Sequence, residues 1–115
     1  MKKAGYILTI IISVASLVIA GQVIVEGPTA RNAYDDIVLQ WKTGDETNVK
    51  EFQVWRRGGQ GSVWTQVATI LPKGNNSLYE YVDRSVFKTE ASVYYYSVTI
   101  VFTDGSQSQS SPVAV

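Results

Sequence analysis

Side chains that could bind a metal or move a proton concentrate in three short turn-forming stretches. Asp45, Glu46 and Asn48 lie in Thr43-Gly-Asp-Glu-Thr-Asn-Val49, Asn75 and Asn76 in Pro72-Lys-Gly-Asn-Asn-Ser77, and Asp104 in Thr103-Asp-Gly-Ser106. Hard oxygens of this kind suit calcium, and Asp45, Glu46 and Asp104 are its weak candidates. Asp and Asn are also the ordinary residues of turns, and no Asp-x-Asp-x-Asp spacing is present, so no metal or other cofactor is expected. Catalysis is poorly supplied as well. The chain has no His and no Cys, so the usual nucleophile–base pairs cannot be built around its serines. Lys42, Lys50, Lys73 and Lys88 all lie beside turns or strand ends, where none suggests the buried amine that a Ser–Lys pair needs. A carboxylate pair for sugar hydrolysis can be drawn from Asp45, Glu46 and Asp104, but short turns make a poor cleft. The expectation is a protein that is not an enzyme.

A second set of side chains suits recognition. Gln53, Trp55 and Arg57 fall on one face of Lys50 to Arg57, and Tyr95, Ser97 and Thr99 on one face of the segment after Tyr94. If these segments pair, Trp55 and Tyr95 are cross-strand neighbours on an outer surface, flanked by Gln53 and Arg57. Exposed Trp, Tyr and Arg are favoured where proteins meet partners, and such rings also stack on sugars. The plainer account is an aromatic pair that stabilises a solvated face by up to about 1 kcal/mol. Arg56 and Arg57 by themselves read as a solvated strand end.

The elements that carry these residues are strands. From Ala91 to Phe102, Tyr94, Tyr96, Val98 and Ile100 alternate with Tyr95, Ser97 and Thr99, the period of two that buries one face. Asp104-Gly105 then predicts a tight two-residue hairpin. Earlier, Gln22 to Glu26 is a strand ended by Gly27-Pro28, and Pro28 to Asp35 a loop. Further strands are predicted at Asp36 to Lys42, Lys50 to Arg57, Val63 to Leu71 after a glycine-rich break, and Leu78 to Val82. Asp83 to Glu90 is a crossover with Val86 and Phe87 as plugs, and Ser106 to Val115 is a polar edge strand. Seven short strands with turns every eight to twelve residues form a two-sheet sandwich. Its expected interior holds Val23, Val25, Ile37, Leu39, Trp41, Phe52, Val54, Trp64, Val67, Ile70, Tyr79 or Tyr81, Tyr94, Tyr96, Val98 and Ile100.

The chain has 115 residues and equal numbers of basic and acidic side chains, ten of each. That gives one domain and no electrostatic case for nucleic acid. Lys2-Lys3, the apolar run Ala4 to Ile19 and the small-residue site Val18-Ile19-Ala20 read as a signal peptide over residues 1–20, with the domain at 21–115. The mature chain is then secreted or displayed at the cell surface with a formal charge of −2. The alternative keeps Ala4 to Val25 as a membrane anchor, since that length spans a bilayer, or as a helix packing copies into a filament. In that case the chain touches membrane and forms an oligomer. Gly5-Tyr6 faintly matches a pilin processing site, although Ile10 stands where pilins carry an acid. Without a disulfide, the fold rests on an apolar core that takes about two thirds of the unfolded surface from water.

Trp41 in Ile37-Val-Leu-Gln-Trp41, the Phe52-Gln-Val-Trp-Arg56 run, Trp64, the Tyr81-Val-Asp83 step, Tyr94-Tyr-Tyr-Ser-Val98 and Gly105 together resemble a fibronectin type III domain of the secreted bacterial kind. The resemblance covers nearly all of Gly21 to Val115. It implies an immunoglobulin-like sandwich with the strands at 22–26, 36–42 and 78–82 in one sheet and the other four in the second. It also implies that Tyr94 is a corner tyrosine whose hydroxyl bonds back to the preceding chain, with Trp41, Trp64 and Tyr96 as structural residues. The turn Thr103-Asp-Gly-Ser106 is not Arg-Gly-Asp, so integrin binding is not implied. The function expected is a non-catalytic adhesion or interaction module for a protein or glycan.

Overall fold

The computed structural model describes residues 23–59, 62–84, 86 and 93–115. Alternation of large apolar and polar residues produces strands β1 (Ile24–Ala33), β2 (Asp36–Thr43), β3 (Val49–Gly58), β4 (Thr65–Ile70), β5 (Leu78–Asp83), β6 (Tyr94–Phe102), β7 (Gln107–Gln109) and β8 (Val113–Ala114). They form two antiparallel sheets, ordered β1-β2-β5 and β4-β3-β6-β7, with β8 also paired to β6. The fold is an all-β two-sheet sandwich, and its partition of strands is the one expected. The leader and Phe87 lie outside the described residues.

The inward parity of each central strand fills the interior. Ile37, Leu39 and Trp41 of β2 face Phe52 and Val54 of β3 and Tyr94, Tyr96, Val98 and Ile100 of β6, all buried. Trp41 and Tyr79 are register partners whose rings stack at 5.2 Å, and Phe52 tilts against them at 5.9 and 4.9 Å. Offset and tilted contacts of this kind add about 0.5–1.5 kcal/mol each beyond the area they bury. Of the two tyrosines left open by periodicity, Tyr79 is buried with its ring stacked on Trp41, and Tyr81, opposite Leu39, is half-buried against the core.

Several expectations change. Residues 28–33 are strand, because β1 is an edge that absorbs Gly27-Pro28 (a cis peptide) as an irregularity and regains its ladder at Thr29, opposite Gln40. Proline is tolerated there since an edge strand has amides with no partner to lose. The register shift between Ile24 and Glu26 turns Val25 outward, where it is 57% exposed, while Val23 is buried. Trp64 precedes β4, which begins only at Thr65, so it does not enter the interior.

The hairpin after β6 closes through a three-residue loop. Phe102 N–H donates to Ser106 O (2.8 Å), Gly105 N–H donates to Phe102 O (2.9 Å), and only Gly105 takes a positive φ. One left-handed residue after a turn is the bulged form of a hairpin. The final segment splits into β7 and β8, making eight strands among the described residues. At the split the Ser110 hydroxyl accepts from Val98 N–H (2.9 Å) in place of a ladder carbonyl, and Pro112 offers no amide.

Two glycines separate strain from crowding. A Cβ on Gly27 (φ +89°) would lie 2.8 Å from the Gln40 carbonyl oxygen, whereas one on Gly105 (φ +91°) meets nothing within 4 Å. Gly105→Ala is expected to lose about 1–2 kcal/mol from left-handed strain alone. Gly27→Ala should lose about 1–3 kcal/mol more, because two backbones must part. Urea unfolding of both variants checks the order.

Candidate functional site

β3 lies between β4 and β6, so outward side chains of β3 have neighbours on both flanks. Arg57 is directly opposite Tyr95, and Trp55 opposite Ser97. Trp55 and Tyr95 are therefore diagonal, not direct, neighbours: pairing fixes Arg57 to Tyr95, and Trp55 lies two residues away along β3. The Arg57 guanidinium lies 4.7 Å from the centre of the Tyr95 ring and 4.8 Å from that of Trp64. Trp64, expected in the core, thus belongs to this outer surface. Along β3, Trp55 Nε1–H donates to Gln53 Oε1 (3.3 Å) and Gln53 Nε2–H donates to Glu51 Oε2 (2.8 Å), a relay at two-residue spacing. Ser97 and Thr99 are buried between the larger side chains. The result is a flat surface with a small-residue floor and half-exposed Trp55, Arg57, Trp64 and Tyr95 toward one end.

The three turn loops meet at the opposite end, where the weak calcium candidates Asp45, Glu46 and Asp104 were expected. Glu46 is buried and already occupied. Its Oε2 accepts from the Thr43 hydroxyl (2.6 Å) and the Tyr79 hydroxyl (2.7 Å), and its Oε1 from Gly74 N–H (2.9 Å). Its own amide donates to Asn75 Oδ1 (2.7 Å), and Asn76 N–H to Gly44 O (2.8 Å), which ties two loops together. Asp45 accepts from the hydroxyl and amide of Thr47, and Asp104 from those of Ser106. These bonds, the hydroxyl's first, hold both carboxyls below the usual Asp value. Asp45, Asn48 and Asp104 do line one cleft of about 330 Å³ with Val23 and Phe102, but Glu46 faces away from it. Among the described residues no three acidic side chains are grouped to hold a metal ion.

A second buried carboxylate closes the other end. Asp83 of β5 accepts from Arg56 Nη1 (2.9 and 2.7 Å) and from the Tyr96 hydroxyl (2.6 Å), joining the two sheets. Arg56 is therefore an inter-sheet tie and not a solvated strand end. Its signal was in the parity: Arg56 continues the inward series Phe52, Val54, and Asp83 the series Tyr79, Tyr81, so opposite charges face each other at one end. Glu46 had no such signal, since a turn has no period. Beside this tie the Tyr94 hydroxyl donates to Val86 O (2.7 Å), eight residues back.

No protein-family model matches the sequence, and no curated protein matches it. Among solved structures the fold is similar to part of pectate lyase PelI from Erwinia chrysanthemi in complex with tetragalacturonic acid. There the TM-score is 0.58 at 20% identity, over 76% of this chain and 27% of that one. Pectate lyase Pel3 from Pectobacterium carotovorum is similar with a TM-score of 0.56 at 20% identity, over 75% of this chain and 24% of that one. The chain spans about a quarter of the length of these lyases, and at this identity the likeness is one of fold.

Two outcomes follow from the buried carboxylates. Asp83→Ala leaves Arg56 and the Tyr96 hydroxyl without their partner, and should cost about 3 kcal/mol in urea unfolding. Burial, then the bond to Glu46, pushes the Tyr79 hydroxyl from 10.0 up to about 12. The folded chain keeps this proton where the unfolded chain releases it, so the stability is whole below about pH 10 and falls as pH rises toward 12. Tyr79→Phe should start less stable at pH 7 and show a shallower alkaline decline.

Proposed function

We propose that this chain is an exported, non-catalytic module of the fibronectin type III kind, which binds a protein or glycan at the cell surface through the outer face of β4-β3-β6-β7. The observation that carries the reading is the half-exposed group Trp55, Arg57, Trp64 and Tyr95 on one flat surface. Rings and a guanidinium supply large contact area with few rotatable bonds, the composition that dominates binding energy at interfaces. The strand partition β1-β2-β5 against β4-β3-β6-β7 and the Tyr94 bond to Val86 O support the family resemblance. The basic start and apolar run before Gly21 support export.

The oxygen chemistry of the turns supports a non-catalytic role: Glu46 is consumed in holding loops, and Asp45 and Asp104 in their own turns. The similar lyase PelI was solved with tetragalacturonic acid, which supports including glycans among the probes.

The second reading keeps residues 4–25 as an anchor or filament helix. One contact favours its geometry. Val23 O accepts from Gly44 N–H (2.8 Å), so the first described residue sits at the end bearing the turn loops. An anchored module would turn that end to the membrane and leave the aromatic end of the outer face free. N-terminal sequencing of the protein purified from its source separates the readings: a start at Gly21 removes the anchor.

Trp55→Ala should weaken capture of the partner from the native cell envelope by about tenfold or more, with the melting temperature close to that of the unaltered chain. Unchanged capture would show that the contact surface lies elsewhere.

A further inference from the structure

We infer that the outer face takes an acidic glycan, with Arg57 as the residue that reads a sugar carboxylate. The inference rests on the interaction face described above and names its ligand class. The Arg57 guanidinium carbon lies over two rings, 4.7 Å from the centre of Tyr95 of β6 on one flank and 4.8 Å from that of Trp64, just before β4, on the other. Contact with two rings holds the side chain in place before any ligand arrives, so little of its freedom is lost on binding. Its Nε is buried with no hydrogen-bond partner. A buried polar atom without a partner calls for an explanation, and here it is the cost of presenting the outer edge of the fork.

Among the described residues the charge of Arg57 is also uncompensated. The ion pairs among the described residues join Lys42 to Glu26, Arg56 to Asp83 and Arg84 to Asp36, and Arg57 has none. The acid on its own face of β3, Glu51, is six residues away, roughly 20 Å along a strand. That exceeds the roughly 8 Å screening length at physiological salt. A planar fork with no acid paired to it among the described residues matches a carboxylate, which it binds through two parallel N–H bonds.

The rest of the surface matches a sugar. Gln66, Trp55 and Ser97 form one row across the sheet, and Thr69, Gln53, Thr99 and Gln109 the next. Of these, Gln66, Thr69 and Gln109 are exposed and Gln53 half-buried, while Ser97 and Thr99 form the buried floor. Exposed amides and hydroxyls both donate and accept, as sugar hydroxyls require, and the Trp55 and Tyr95 rings supply the apolar contact for a pyranose. A polyuronate lying across these rows brings one carboxylate to Arg57 and its neighbouring rings to Trp55 and Tyr95.

The test uses the full exported chain and three polymers: sodium polygalacturonate, its methyl ester and poly-L-glutamate, each by affinity electrophoresis at low and physiological salt. The expected result is retardation by polygalacturonate, at least tenfold weaker with the ester and with poly-glutamate. Arg57→Gln should lose at least tenfold for the acid polymer and nothing for the ester, and Arg57→Lys should recover part of the loss. If Arg57→Gln melts early, the acid-to-ester ratio of the unaltered chain and of Arg57→Lys decides. Equal binding of acid and ester, equal binding of poly-glutamate, or an Arg57→Gln variant that binds as before overturns the inference. No binding to any polymer, with Trp55-dependent capture of an envelope protein intact, overturns it too and leaves the interaction face standing.

Discussion

Phe52, on the inner side of one sheet, lies against both Trp41 and Tyr79 of the other, and this three-ring contact fixes how the layers sit on each other. Without a disulfide, the sandwich depends on such packing to offset the chain entropy lost on folding. Tyr79 extends the contact beyond the core. Its ring is buried on Trp41, while its hydroxyl donates to Glu46 and accepts from Lys73 N–H at 2.7 Å. The packing of the centre and the position of the turn loops are thus one structure, joined through a single side chain.

Each end of the sandwich is closed by a buried carboxylate. Glu46 gathers Thr43, Gly74 and Tyr79, and Asp83 gathers Arg56 and Tyr96 across the sheets. A buried charge is tolerated only when donors surround it, and it then penalises any arrangement that removes them. The functional consequence is indirect. At the end that looked most like a metal site, Glu46 is spent on holding loops and Asp45 and Asp104 on their own turns.

The outer face of the larger sheet has the opposite character. Ser97 and Thr99 give it a low floor, and the half-exposed Trp55, Arg57, Trp64 and Tyr95 stand toward one end of it. Arg57 is the pivot of that surface because β3 is central: a guanidinium on an edge strand would have a ring on one flank only. The recognition reading therefore rests on strand order as much as on residue type.

Alternation along the chain was enough to establish the all-β sandwich, the inward series on β2, β3 and β6 and the outward series that holds Trp55 and Tyr95, because side-chain direction in a strand is a local property. It was not enough to place Val25 or Trp64. A register shift inverts the faces around Val25, and the late start of β4 leaves Trp64 ahead of the strand. Register and bulges are set by the neighbouring strand, as are the pairing of Arg57 with Tyr95 and the meeting of Arg56 with Asp83. The turn acids could be named but not interpreted, since whether Glu46 faces solvent or Tyr79 depends on loops nearly thirty residues apart. Local patterning decided which side chains point together. Only the packed sheets decided which of them touch, because contact needs a partner strand and direction does not.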